Sequence, residues 1–163
     1  MHAPDEAIGA PLLSPITVRR MTASDVPVAL LVLEESPEAA MWSSESLLES
    51  VARGNAWAAE LDGGFAGFLI GRVAGDEFEI LNLAVAKAHR RRGVATHLVS
   101  AALEHARSED APEAYLEVRA SNEGGIAFYT RLGFLACGRR ANYYRDPVED
   151  AVLLVFHNRT SSQ

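Results

Sequence analysis

The stretch LNLAVAKAHRRRGVATHLV, residues 81–99, joins an apolar run to a periodic helical segment through a basic turn. The apolar run ends at Val85, and the turn consists of Arg90-Arg91-Arg92-Gly93-Val94-Ala95. A helix N-terminus offers unpaired backbone N–H groups and the positive end of its dipole, so this order suits the binding of a pyrophosphate. A solvated basic turn with an ordinary glycine would have the same sequence. The segment lacks the Gly-Lys-Ser/Thr ending of nucleoside-triphosphate loops and the three-glycine fingerprint of dinucleotide-binding proteins.

The segments on either side of the basic turn have different periodicities. After the turn, apolar residues recur at helical spacing over 94–106, which predicts an amphipathic helix. Before it, the apolar runs 56–61 and 65–73 flank an Asp-Gly-Gly sequence that is typical of a β-hairpin. A third run, 78–85, predicts a strand, and its interrupted alternation at Leu81-Asn82-Leu83 indicates a β-bulge or a strand buried on both faces.

The rest of the chain alternates between strand and helix patterns. Strands are predicted at 16–20, 114–120, 135–143 and 151–157, and helices at 24–33, 44–53 and 122–132. Ser24 has the chemistry of an N-cap for the first helix. This order predicts an α/β (α+β) protein with a mixed sheet covered by helices. We expect a flexible leader at 1–15, a single domain at 16–157 and a tail at 158–163.

The composition is that of one soluble globular domain, since 48% of the 163 residues are hydrophobic and 23% are charged. No run approaches the roughly 18 apolar residues of a membrane-spanning helix, and the N-terminus lacks a secretion-signal pattern, so we predict a cytoplasmic protein without membrane contact. The net charge of −7 argues against nucleic-acid binding, which needs Lys and Arg to meet phosphates. The single cysteine and the scattered histidines predict no metal, and we expect Cys137 to be buried in a strand.

Glu117 lies in a segment that alternates as a strand, Tyr115-Leu116-Glu117-Val118-Arg119. The alternation places its carboxylate on the opposite face from the two apolar side chains, within the predicted sheet. Because a buried carboxylate without a task is costly, Glu117 is a candidate catalytic residue. A structural ion pair with an arginine such as Arg119 or Arg140 would also explain its position.

Asn122 and Tyr129 are seven residues apart, about two helical turns, so they lie on one face of the predicted helix. Both side chains could therefore reach the same ligand. Asn122 can also act as a plain helix cap, and the two roles are compatible. Tyr129 can equally be a core tyrosine whose hydroxyl is satisfied.

Taken together, these segments resemble the GNAT superfamily of acetyl-CoA-dependent N-acetyltransferases, and the resemblance spans Ile16 to Phe156. Arg90, Gly93 and Ala95 match the superfamily's cofactor loop, Gln/Arg-x-x-Gly-x-Gly/Ala. The resemblance implies a mixed, mostly antiparallel sheet of about seven strands covered by about four helices. It also implies acetyl-CoA as cosubstrate and a set of cofactor-contacting residues, namely Leu83, Ala84, Val85, Arg90, Arg91, Arg92, Gly93, Val94, Ala95, Thr96, Asn122 and Tyr129.

Residues 116–122, with Asn142-Tyr143-Tyr144 and Glu149-Asp150-Ala151, are similar to the bacterial RimI family, which acetylates the N-terminal alanine of a small-subunit ribosomal protein. This resemblance implies Glu117 as general base and Tyr129 as general acid in a direct transfer of acetyl to a protein N-terminus. It also implies that a peptide slot is lined by Trp42, Tyr143 and Tyr144.

The first half of the chain is acidic, and its carboxylates would favour a basic ribosomal protein if they rim the substrate mouth. The candidates for that rim are Glu35, Glu45, Glu77 and Glu79. Three features depart from the RimI pattern: Met41 stands where proline is common, Gly124-Gly125 replaces bulkier small residues, and the turn at Arg145–Val148 is short.

Two other functions share parts of this pattern. A GNAT enzyme that acetylates a small amine would have every cofactor residue but would not need a peptide slot. A noncatalytic acyl-CoA-binding sensor would not need both Glu117 and Tyr129. For the oligomeric state we expect a monomer or a weak dimer.

Overall fold

The computed structural model describes residues 14–158, which contain seven strands and four helices. In chain order these are β1 (Thr17–Arg20), α1 (Val26–Glu34), α2 (Ser44–Ala52), β2 (Ala56–Leu61), β3 (Gly64–Ala74), β4 (Glu77–Val85), α3 (Val94–Ser108), β5 (Glu113–Arg119), α4 (Glu123–Leu132), β6 (Leu135–Tyr144) and β7 (Glu149–His157). Short 3-10 turns at Ala23–Asp25 and Lys87–His89 precede α1 and α3. Residues 1–13 of the predicted leader and 159–163 of the predicted tail lie outside the described residues.

One sheet contains all seven strands in the order β1-β2-β3-β4-β5-β7-β6. Strands β4 and β5 pair in parallel, and the other neighbouring pairs are antiparallel. Helix α3 supplies the long crossover that a parallel pair requires. The predicted α/β fold, with a mostly antiparallel sheet of seven strands and four helices, is confirmed.

The sheet separates two apolar cores. The α3 core lies on the face that α3 and α4 cover and includes Leu98. The α1 core lies on the other face and includes Leu33 of α1 and Leu47 of α2. Strand β3 contributes to both, because Phe68 enters the α1 core and Leu69 enters the α3 core. This burial on both faces explains why β3 is apolar without alternation.

The centre of the sheet opens where β4 bulges. Ile80 and Asn82 pair with consecutive residues of β3, so Leu81 is the extra residue of a β-bulge, which is one of the two explanations that the sequence left open. Parallel pairing of β4 with β5 ends at Ile80, opposite Leu116. Residues 81–85 of β4 therefore have no strand partner on the β5 side, and we call this opening the β4–β5 gap.

Asn82 is buried at the bulge and ties β4 to the connection between α1 and α2. Its Nδ2 donates a hydrogen bond to the carbonyl oxygen of Ala40 at 2.8 Å. Its Oδ1 accepts one from the backbone N–H of Leu83 at 3.0 Å. These bonds offset the loss of water around a buried amide, and they position the segment that carries Trp42.

Two local predictions are wrong. Ser24 does not begin α1, because Asp25 closes the preceding turn by accepting a hydrogen bond from the Thr22 backbone N–H at 2.8 Å. Cys137 lies in a strand, but its side chain is exposed because β6 forms an edge of the sheet. Among the helices of residues 14–158, none combines the length and the apolar composition that a membrane crossing requires.

Candidate active site

The basic turn leads into α3 with its backbone open to a ligand. Gly93 precedes α3 with φ of 89°, a left-handed conformation that glycine adopts without strain. Within residues 14–158, no side chain caps the first turn of α3. The first amides of α3 and the positive end of its dipole are therefore available to an anion.

A cavity of about 410 Å³ lies at this end of α3. It brings together predicted cofactor-contacting residues, namely Val85, Arg90, Arg91, Gly93, Val94, Ala95 and Thr96. Sequence reasoning missed two further lining residues, His89 and Phe128. His89 adjoins the arginine run and Phe128 adjoins Tyr129, but an aromatic residue at helical spacing is equally typical of a core. The volume and the open helix terminus fit part of a large anionic ligand.

The three arginines of the turn have different surroundings. The Arg90 guanidinium donates to the carbonyl oxygen of Glu35 at 2.6 Å, which ties the turn to the end of α1. Arg92 forms an ion pair with Asp62 at 2.7 Å. Arg91 lines the cavity and forms no ion pair within residues 14–158. Arg91 is therefore the arginine of the turn whose side chain remains available to a phosphate.

In the second half of β4, backbone N–H groups point into the β4–β5 gap. The N–H of Ala86 donates to β3 at 2.8 Å, so the alternation of the antiparallel ladder directs the N–H groups of Leu83 and Val85 away from β3. The Leu83 N–H is bonded to the side chain of Asn82. The Val85 N–H points into the β4–β5 gap. The side chain of Ala84 packs in the α1 core, so any contact of Ala84 with a cofactor would use its backbone.

Asn122 and Tyr129 belong to α4 but have different environments. Asn122 caps the helix, since its Oδ1 accepts a hydrogen bond from the backbone N–H of Gly125 at 2.9 Å. Tyr129 is 9% exposed, and its ring meets those of Phe128 and Phe134 edge-on. Burial raises the pKa of Tyr129, which keeps the phenol protonated at neutral pH.

Glu117 and Tyr129 lie on opposite faces of β5. Leu116 and Val118 enter the α3 core together with Tyr129, so strand alternation directs Glu117 to the other face. The Glu117 carboxylate forms an ion pair with Nε of Arg140 at 2.8 Å, and its side chain is 22% exposed. The ion pair that the sequence offered as a structural alternative is therefore present.

Tyr143 and Tyr144, at the end of β6, lie beside the same carboxylate. The hydroxyl of Tyr143 donates a hydrogen bond to Glu117, which raises the pKa of Tyr143. The nearby charge of Glu79 raises this pKa further, to a smaller extent. Burial raises the pKa of Tyr144 to about 12. The two tyrosine rings meet edge-on with centroids 5.0 Å apart. We call Glu117, Arg140, Tyr143 and Tyr144 the Glu117 cluster.

Of the other predicted substrate-side residues, Glu79 lies near the Glu117 cluster, whereas Trp42 and Glu35 make contacts elsewhere. Trp42 packs against the α1 core in the connection between α1 and α2. Glu79 lies close to Tyr143. Glu35 instead accepts a hydrogen bond from the backbone N–H of Lys87 at 2.9 Å and so stabilises the segment before the basic turn.

Known proteins resemble this chain in sequence and in fold. Residues 22–134 match the acetyltransferase (GNAT) family. The chain is 30% identical over 141 residues to the [ribosomal protein bS18]-alanine N-acetyltransferase of Escherichia coli K12. The aligned region covers 85% of this chain and 95% of that protein. The crystal structure of the ribosomal-protein-S18-alanine N-acetyltransferase from Escherichia coli has a TM-score of 0.78 at 27% identity, covering 91% of this chain and 97% of that one. The structure of Ard1 from Thermoplasma volcanium has a TM-score of 0.82 at 25% identity and covers 89% and 99%.

The family resemblance therefore extends well beyond the cofactor loop. It includes the strand and the helix on either side of the loop, and almost the full length of the Escherichia coli relative. The open terminus of α3 and its adjoining cavity are suited to the pyrophosphate of coenzyme A. The chain belongs to the GNAT family, as its sequence pattern predicted, and is an acetyl-CoA-dependent N-acetyltransferase of the RimI type.

Proposed function

We propose that this enzyme acetylates the N-terminal amine of a protein, and that its acceptor is the N-terminal alanine of a basic ribosomal protein. The observation that carries the proposal is the Glu117 cluster, in which a part-buried carboxylate and two tyrosines lie together. Glu117 directly follows Leu116, the last residue of β5 that pairs with β4, so the cluster borders the β4–β5 gap. The name of the Escherichia coli relative supports this class of acceptor.

The cofactor half of the site would use backbone groups more than side chains. The first amides of α3 and the side chain of Arg91 would hold the pyrophosphate, while Arg90 and Arg92 keep the turn in place. Asn122 would orient α4 through its cap and present its amide to the ligand. Bound acetyl-CoA supplies a thioester, whose carbonyl carbon is attacked by the acceptor amine.

Glu117 would act as the general base. An N-terminal amine has a pKa of about 8 and is mostly protonated at neutral pH, so it must lose a proton before it can attack. Glu117 would take that proton directly or through one water molecule. Tyr143 and Tyr144 would line one side of the slot for the first residues of the acceptor. Trp42, which packs against the α1 core, would hold the connection between α1 and α2 on the opposite side of the slot.

Val85 and Tyr129 would act on the thioester of acetyl-CoA rather than on the acceptor amine. The Val85 N–H points into the β4–β5 gap and would donate to the carbonyl oxygen as it gains negative charge. Tyr129 keeps its proton at neutral pH and would give it to the departing sulfur. Because both substrates bind together, transfer is direct, and Cys137 on the edge strand β6 takes no part.

Acetylation of a peptide panel, read by mass, tests the acceptor. We expect transfer from acetyl-CoA to the α-amine of a basic peptide that begins with alanine, and none to the same peptide with its α-amine blocked and its lysines free. Acetylation of lysine side chains alone, or faster turnover of a polyamine than of any peptide, would contradict the proposed acceptor. The cytoplasmic location and the monomeric or weakly dimeric state stay predictions.

Variants of the two proposed catalytic residues test the mechanism. We expect Glu117→Gln to lower kcat by about 10²–10⁴ while acetyl-CoA affinity is kept, since general bases contribute a factor of this size. Tyr129→Phe should likewise lower kcat, with acetyl-CoA affinity again retained. Glu113→Gln is the matched control, because Glu113 also lies on β5 and pairs with His157 at 3.3 Å. Equal turnover of Glu117→Gln and Glu113→Gln would exclude Glu117 as the base.

A further inference from the structure

We infer that Arg140 is a displaceable counterion of Glu117, and that the positively charged N-terminus of the acceptor takes its place at the carboxylate. The inference rests on the proposed function, because it assumes that an N-terminal ammonium approaches Glu117. It assigns to Arg140 a positioning and selecting role rather than a chemical one.

The two members of the ion pair differ in exposure. The Arg140 side chain is 58% exposed, whereas that of Glu117 is 22% exposed. Removing the guanidinium from the pair therefore returns a largely hydrated cation to water, whereas leaving the carboxylate alone would strand a part-buried charge. The arrangement keeps Glu117 paired until another cation arrives.

The Arg140 guanidinium makes a second contact besides the ion pair. Its guanidinium carbon lies 5.8 Å from the centroid of the Tyr143 ring, within the range of a cation–π contact. Arg140 pairs with Ala151 of β7, and the ladder between β6 and β7 is irregular immediately after it. The backbone of Arg140 is thus held by the sheet, while its side chain extends along the rim of the cluster.

Exchange of one cation for another makes the site prefer a peptide with a charged N-terminal amine over one with a neutral N-terminus. An ammonium can replace the guanidinium because it carries the same charge and its three N–H donors, fewer than the five of a guanidinium, can still bond to the carboxylate. A neutral group cannot make this replacement. The acetylated product has lost the charge of the amine, so once Glu117 has released the accepted proton to water, Arg140 can pair with the carboxylate again and favour product release.

Two peptides of identical sequence test the exchange, one beginning with alanine and the other with its uncharged desamino analogue, propionyl. Their dissociation constants are measured in the presence of coenzyme A at about pH 6.5, where an N-terminal amine is protonated. The informative quantity is the ratio of the desamino to the amino dissociation constant. We expect Arg140→Ala to raise this ratio about two- to fivefold, the size of a partly exposed ion pair, because the ammonium no longer competes with a guanidinium.

Four further variants complete the test. Arg140→Lys should keep the ratio near that of the wild type, since it restores a competing cation. Arg139→Ala is the matched control, because Arg139 is the preceding residue, is 61% exposed and pairs with Asp150 instead. The ratio should not change in Arg139→Ala. In Glu117→Gln the ratio should fall, and adding Arg140→Ala should change it no further.

An unchanged or lower ratio in Arg140→Ala overturns the inference. A purely structural role of Arg140 would weaken both peptides equally and so give that result. If the wild type acetylates no peptide, the proposed function fails and this inference fails with it. Peptide acetylation with an unchanged ratio overturns the inference about Arg140 alone.

Discussion

Replacing Gly67 with alanine would place a methyl group against the strand that borders the cavity. A Cβ at Gly67 would lie 2.7 Å from the carbonyl oxygen of Ala84, 3.1 Å from Cα of Val85 and 3.3 Å from Cγ1 of Val94. The first two atoms are backbone, and Ala84 is itself buried, so β4 cannot move aside without disturbing the core. The substitution therefore strains both β4 and the start of α3.

The expected magnitude follows from two opposing effects. Overpacking of a closed site costs about 1–3 kcal/mol. Restriction of the unfolded chain by the new Cβ returns about 0.4–1 kcal/mol. We expect Gly67→Ala to lower the free energy of unfolding by about 1–2 kcal/mol, which for a chain of this size lowers Tm by about 2–8 °C. Acetyl-CoA should also bind more weakly, because Val85 and Val94 line the cavity.

Urea unfolding and calorimetric titration with acetyl-CoA would measure these two effects. Gly64→Ala is the matched control, since Gly64 begins the same strand and a Cβ there would have no atom within 4 Å. That variant should equal the wild type or exceed it slightly in stability. If Gly67→Ala is as stable as Gly64→Ala and binds acetyl-CoA equally well, the close approach of β3 to β4 does not constrain the site.

Two more substitutions test how the site is supported. Gly125→Ala would place a Cβ 2.6 Å from Nδ2 of Asn122, so we expect the cap of α4 to be displaced and the protein to lose about 0.5–2 kcal/mol in urea unfolding. Gly124→Ala, where the nearest contact is 4.0 Å, should lose nothing, and equal stability of the two variants would refute the reasoning. Asn82→Ala removes the donor to the Ala40 carbonyl, so we expect a loss of about 1–3 kcal/mol together with a higher KM for the acceptor peptide. A stability change without any change in that KM would show that the segment between α1 and α2 does not shape the peptide slot.

The local patterns of the sequence predicted most of the fold. The basic turn, the apolar stripe of α3 and the interrupted alternation at Leu81 each reflect a constraint that acts within a few residues. The N-cap at Ser24 was wrong because the neighbouring Asp25 takes that role, whereas the burial of Cys137 was wrong because it depends on the arrangement of the strands across the sheet. The turn before α1 is closed by Asp25, and the exposure of β6 follows from its place at the edge of the sheet.

The part of the candidate site that lies within one loop was predictable from the sequence. The part that depends on contacts between strands distant in sequence was less predictable. The loop residues from Arg90 to Thr96 adjoin one another in sequence, and the structure places them around one cavity apart from Arg92. The choice of Arg140 over Arg119 as partner of Glu117 depends on how β6 lies beside β7. Arg119 instead donates to the carbonyl oxygen of Pro147 at 3.2 Å, so the nearer arginine in sequence is not the one that pairs.

The bulge at Leu81 connects the two halves of the proposed site. Glu117 and Tyr129 lie on opposite faces of β5, so a continuous β4–β5 ladder would separate them by a layer of backbone. The ladder instead stops at Ile80, and the extra residue turns the second half of β4 away from β5. The same change leaves the Val85 N–H without a strand partner on that side. The inserted residue thus coincides with the end of the β4–β5 ladder, and it leaves free the N–H that we propose as the donor to the transferred carbonyl.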